Sequence, residues 1–332
     1  PRSLRCEPGL HVVRAKHLVV SDPLGNASMP SSVQTIESSG IASNRGGNRF
    51  PGLRAAAVLA AIGSMTLAAA GQDYDGGLGG NSDFDTPASW GGAYPGGAGN
   101  DFAGGIIDIL GLFEDGPINV ANDIIGIGGL SNTFDGDVIF NGDGSFSFAD
   151  AAVVNPGDGS FTFEIDVIAT GGLTFDLAGG GLVQIDGTFT TNGGVILVER
   201  GFVDVNGVTN SGDGTVWNAN EGGFNFNGVF NATGSQTFAG LSGTVADDVF
   251  TFNDANFENV VPNPGDPVVP GSATFDAASV AFNGVTTVAD DYDFFLDNAA
   301  AVTLNDFVAL GDFAIGFADF DSTFSVTGDA SF

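Results

Sequence analysis

From Asn132 onward, apolar residues recur at every second position in short runs, and each run stops at Gly, Asn or Asp. A period of two marks a strand with one buried face. Over 161–240 the runs themselves repeat. VQIDG at 183–187 is followed by VDVNG at 203–207 and FNFNG at 224–228, and FEID at 163–166 fits the first four positions upstream. This spacing aligns Phe163, Val183, Val203 and Phe224, and two residues later Ile165, Ile185, Val205 and Phe226. Asp166, Asp186, Asn206 and Asn227 come next, and Gly187, Gly207 and Gly228 close three of the copies.

A period near 20 leaves room for three short strands and three turns per coil. The second and third strands are predicted at 188–190 and 195–197, at 208–209 and 215–217, and at 229–230 and 236–238. The Asn/Asp-Gly steps predict turns through positive φ. Stacked coils bury their apolar residues only against neighbouring coils, at about 4.8 Å spacing. The fold expected is all-β: a right-handed parallel β-helix, a solenoid with coils of about 20 residues, over 132–332. The alternative is an antiparallel β-sandwich, since the same dipeptides also make hairpins every 8–12 residues. Outside 161–240 the register is unclear. IFNG at 139–142 and AFNG at 281–284 recur at unequal spacing.

The segment GGLVQIDGTFTTNGGVILVERGFVDVNGVTNSGDG resembles the passenger β-helices of autotransporters and filamentous-haemagglutinin-type adhesins, and 270–332 resembles them more loosely. The resemblance implies a right-handed parallel β-helix at the cell surface. No translocating barrel of adequate length follows, so the chain reads as a fragment or as secreted by another route.

The amino-terminal part has a different pattern. Arg45, Arg49 and Arg54 precede the apolar run AAAVLAAIGSMTLAAA at 55–70. A basic region, a short apolar stretch and small residues before Gly71 make a secretory signal, with cleavage near Ala70–Gly71. The run is shorter than the roughly 20 residues that span a membrane, so no transmembrane span is expected in the mature chain. Residues 1–54 read as a disordered leader, partly non-coding before Met29. Residues 71–131 read as a Gly-rich lead-in, with a short helix or cap over 106–130.

Charge sharpens this division. The net charge of the chain is −32, yet seven of its eight Lys and Arg residues precede position 55. From Gly71 onward there are 37 carboxylates, one base (Arg200), and no Cys, His or Lys. So acidic a body repels nucleic acid. Without His, Cys or Lys there is no zinc site built on His or Cys, no phosphate loop, and almost no means of activating a nucleophile. Only carboxylate chemistry remains. Asp247-Asp248, Asp290-Asp291 with Asp293, and Asp319 with Asp321 are the pairs that a carbohydrate-active β-helix enzyme could use. Adjacent residues on a strand face opposite ways, so a pair in sequence is no dyad.

Calcium suits a surface rich in oxygen ligands. Asp135 and Asp137, Asn141 and Asp143, and Asp319 and Asp321 resemble parts of calcium loops and are the candidate ligands. Along the repeat, Asn206 over Asn227 should bond amide to amide. Asp166 over Asp186 should repel by about 0.9 kcal/mol in water. A flat solenoid face could also bind ice or a crystal surface, but Thr188-Phe189-Thr190 does not recur in register. The function expected is a secreted, non-catalytic structural or adhesive protein whose partners are other copies of itself or surface glycans.

Overall fold

The computed structural model describes residues 11–14, 72–74, 84, 90, 100–109, 117–133, 136–263 and 266–331. These form a parallel β-solenoid with three faces. Its coils stack Val183 over Phe161, Val203 over Val183 and Phe224 over Val203, close to the predicted repeat. The first face takes Asp137–Asn141, Ser160–Phe163, Leu182–Ile185, 203–205, 224–226, 250–252, 280–282, 302–304 and Thr323–Val326. The second runs from 124–127 through 145–148, Asp166–Ala169, Phe189–Thr191, Thr209–Ser211 and 306–309 to Ala330–Ser331. The third runs from Gln72–Tyr74 through Ile106–Ile109, Leu173–Asp176 and Gln236–Gly240 to Phe313–Phe317. The signal segment at 55–70 lies outside the described residues. From the leader, His11–Arg14 lies antiparallel against Phe313–Phe317.

Alternation works as the sequence pattern demands. On the first face Val183, Val203, Phe224 and Phe250 stack as one inward column, and Ile185, Val205, Phe226, Phe252 and Phe282 as its neighbour. Where Phe follows Phe the rings lie nearly parallel. Phe226–Phe252 are 4.8 Å apart at 17° and Phe252–Phe282 are 4.6 Å apart at 13°. Each ring removed from water contributes about 1.5–3 kcal/mol, so the column is a continuous source of stability along the axis. One stretch of core is polar. Thr191, Ser211, Thr215 and Gln236 are buried at adjoining corners of successive coils. They bond to one another and to the Trp217 indole N–H, which donates to Ser211 Oγ at 3.2 Å.

Three sequence expectations need correction. Phe163 does not stack on Val183. That coil is longer than the next by two positions, so Phe161 pairs with Val183 and Phe163 with Ile185. A shift of two keeps every side chain on its own face, which is why the hydrophobic pattern did not reveal it. Asp166 is therefore not below Asp186: the residue in line with Asp186 is Glu164, and Asp166 lies under Thr188. The closing glycines Gly187, Gly207 and Gly228 are not at positive φ. They are glycines because a Cβ at Gly207 would come within 1.9 Å of the Gly187 carbonyl oxygen, and one at Gly228 within 2.0 Å of that of Gly207. Finally, 106–130 is not helical where it is described. Ile106–Ile109 is a strand of the third face, and Ile124–Asn132 turns from the second face into the third, so the stack begins ahead of residue 132. Its amino-terminal end is plugged by Phe84, Trp90 and Phe102, which keeps Phe140 and Phe146 from water.

Candidate functional site

The carboxylates concentrate at the corners between faces, and six of them make the same contact. Asp150, Asp166, Asp213, Asp254, Asp290 and Asp306 each accept a backbone N–H from the coil above. The donors are Gly172, Thr188, Ser235, Val285, Asp312 and Asp329, at 2.6–2.9 Å. The residue before each donor is a glycine: Gly171, Gly187, Gly234, Gly284, Gly311 or Gly328. At five of the six, a Cβ would strike the carboxylate itself, as close as 1.9 Å between Gly311 and Asp290 Oδ1. The glycine makes room and the next amide supplies the proton. The sequence analysis missed this interlock. Its signal is an Asp answered one coil later by a Gly, as Asp150 is by Gly171 and Asp290 by Gly311. Asp254 and Gly284 stand further apart in sequence because the excursion at 259–271 lies between them.

A more buried version holds the loop at 241–247. Asp248 is wholly buried. Its Oδ1 accepts the Glu221 N–H at 2.9 Å, and its Oδ2 accepts the Ser242 N–H and hydroxyl at 2.8 and 2.7 Å. Asp247 beside it is exposed, so the two do not converge. Asp290, Asp291 and Asp293 do not converge either. Asp290 is tied to Asp312, Asp291 sits in a turn at φ 59°, and Asp293 accepts the Ala314 N–H at 3.1 Å.

The candidate calcium ligands are spread over separate elements. Asp135 lies outside the described residues. Asp137 faces outward on the first face and accepts from Ser160 Oγ at 2.7 Å. Asn141 ends that strand and Asp143 is exposed in the turn after it. Asp319 caps a turn, accepting N–H groups from Ala299 at 2.6 Å, Ser322 at 2.8 Å and Asp321 at 3.1 Å. Partial burial pushes the Asp319 carboxyl up, but these donors outweigh it and hold it below the usual carboxylate range. Asp297 behaves oppositely. Partial burial raises it, the Asn298 N–H pulls it back, and the charges of Asp276 and Asp319 raise it further. Asp276 and Asp297 are stacked partners on the third face. Among the described residues, no three His, Cys, Asp or Glu side chains group closely enough to hold a metal ion.

Amide ladders run up one corner and up the second face. Asn227 donates to Asn206 at 2.8 Å, as the repeat predicted, and Asn206 in turn donates to Asp186 at 2.7 Å. A second ladder, Asn210–Asn231–Asn256, was not anticipated. No protein-family model, no curated protein and no solved structure matches the chain. Of the resemblance to surface adhesins, the parallel solenoid stands and nothing finer. Among the described residues, no helix is long and apolar enough to cross a membrane.

Proposed function

We propose that the chain is a non-catalytic structural or adhesive rod, exported by the segment at 55–70. The observation that carries this reading is the use of its carboxylates. Those that could have formed an acid–base pair serve as acceptors between coils: Asp248, Asp290 and Asp293 each hold a backbone N–H of a neighbouring coil. The stack of strands on the third face, from Gln72–Tyr74 to Phe313–Phe317, corresponds to a rod about 48 Å long. The lack of His, Cys and Lys beyond Gly71 supports the same reading. Small-angle scattering of the chain from Gly71 onward tests the rod, and a screen of neutral and acidic polysaccharides tests the absence of catalysis. The expected result is an elongated particle that releases no sugar. Cleavage abolished by Asp290→Asn or Asp291→Asn, in variants that keep the wild-type circular dichroism, would replace the rod with a carbohydrate-active enzyme.

A further inference from the structure

The first face differs from the other two in what it shows to solvent. Its outward pairs, coil by coil, are Asp137 and Ile139, Ser160 and Thr162, Leu182 and Gln184, Phe202 and Asp204, Gly223 and Asn225, Val249 and Thr251, Ser279 and Ala281, Ala301 and Thr303, and Thr323 and Ser325. Only Asp137 and Asp204 are charged. The last four coils show nothing but Val, Ala, Ser and Thr, and Ser325 Oγ bonds to Thr303 Oγ1 up the rank at 3.2 Å. Over the same coils the third face carries Asp276, Asp293 and Asp297, Asp254 and Asp306 stand at the corner between the first and second faces, and Glu258 ends a strand of the second. Lower on the first face, Ile139, Leu182 and Phe202 stand 36–42% exposed.

We propose that the first face is a pairing surface for a second copy of this chain, face to face about a two-fold axis. This deepens the reading of the chain as a structural rod and rests on it. Two bodies with 37 carboxylates and one base each cannot approach through acidic corners. This face is where they can touch while burying the least charge, since its two carboxylates, Asp137 and Asp204, already accept from Ser160 Oγ at 2.7 Å and Asn225 Nδ2 at 2.8 Å. Short side chains let two sheets approach to about 10 Å, as stacked sheets do. Nine coils, each presenting one short strand, give a strip about 43 by 15 Å, or roughly 1,300 Å² buried by both copies, the size of a weak but specific interface. A two-fold axis places the same strip on both sides. A neutral glycan is the other occupant the chemistry admits, but the upper four coils offer no ring for a sugar to stack on, and a flat partner of the same shape fits better.

Sedimentation velocity on the chain from Gly71 onward tests this, over a concentration series reaching about 1 mM, the weak end of specific association. It is run in low salt and in about 1 M salt, where screening falls to about 3 Å. The weight-average mass should climb towards twice the monomer in high salt. Ala281→Asp and Thr303→Asp should hold it at the monomer, while Thr287→Asp on the second face should not. A monomer at every concentration, or equal loss of pairing in the Thr287→Asp control, overturns the proposal. So does a monomer that binds insoluble neutral polysaccharide through Ala281 and Thr303, which would assign the face to glycan. A monomer whose scattering is still rod-like would leave the structural reading intact, so the two failures are distinguishable.

Discussion

At the residue scale, the acidic side chains have two roles, separated by burial. Asp213 is exposed and accepts one amide. Asp248 is wholly buried and accepts three donors. A bond to a charged acceptor contributes about 1.5–3 kcal/mol, and leaving a buried donor unpaired costs about as much again. We expect Asp248→Asn to destabilise by about 2–4 kcal/mol, since one carbonyl oxygen must then serve three donors. Asp213→Ala should cost only about 1 kcal/mol, because water replaces the lost acceptor. Urea titration of both variants checks the ratio, and equal losses would show that burial does not set the worth of these carboxylates. Neither role was legible from composition, in which every Asp looks like solvated surface. The partner is a backbone amide one coil away, and only the register identifies it. By contrast, Asn206 over Asn227 could be read directly, because both sit at the same place in adjacent copies of one motif.

At the scale of the element, legibility followed coil length. Between 183 and 226 the coils are nearly equal, and the predicted pairs Val183–Val203 and Val203–Phe224 are the observed ones. Above them, the loop at 241–247 and the excursion at 259–271 lengthen the coils, so that Phe224 meets Phe250, Phe238 meets Phe275 and Phe252 meets Phe282. That hid the recurrence of AFNG. The excursion is tied off by Asn259, which donates to the Asp290 carbonyl at 2.6 Å and accepts the Gly271 N–H at 2.8 Å. The corner beyond it places Asp297 and Asp319 in opposed environments, and pH separates them. The fold favours the protonated form of Asp297, so at neutral pH its charge destabilises. Stability from this group is gained as pH falls through its raised folded value, and the gain is complete below the ordinary value of about 3.9. Asp319 is held low, so its contribution is complete above the ordinary value and is lost as pH falls through its depressed one. Asp297→Asn should therefore raise the melting temperature at pH 7, with the gain vanishing in acid. Asp319→Asn should lower it at pH 7, with the deficit shrinking in acid. Melts between pH 7 and 3 read both, and shifts of the same sign would refute the assignment.

At the scale of the whole molecule, the solenoid sets attraction along the axis against repulsion across it. Phenylalanine columns and amide ladders join each coil to the next, while 37 carboxylates and one base beyond Gly71 put like charge along the edges of the stack. The first face escapes because hydroxyls and amides can make its bonds between coils, as Ser325 does to Thr303 and Asn225 to Asp204, whereas the corners need Asp and Gly to close. The molecule's acidity is thus partly a by-product of turning the chain three times per coil, which is why composition could suggest export and acidity but not the uncharged face. Edge charges about 5 Å apart lie within the screening length of about 10 Å at 0.1 M salt, so raising the salt weakens their repulsion only gradually. A divalent ion binding between two carboxylates would do more than its ionic strength predicts. The melting temperature should rise steadily with sodium chloride. Calcium at matched ionic strength separates the two mechanisms: a further rise, reversed by chelator, would mean carboxylates bridged by calcium, and coincident curves would mean screening alone. Because each coil rests only on its neighbours, a bridge confined to the stacked pair Asp276 and Asp297 would protect those coils first. Hydrogen exchange with and without calcium should then slow at 272–322 and leave 137–205 unchanged, and slowing spread evenly over both would favour general condensation of cations on the edges.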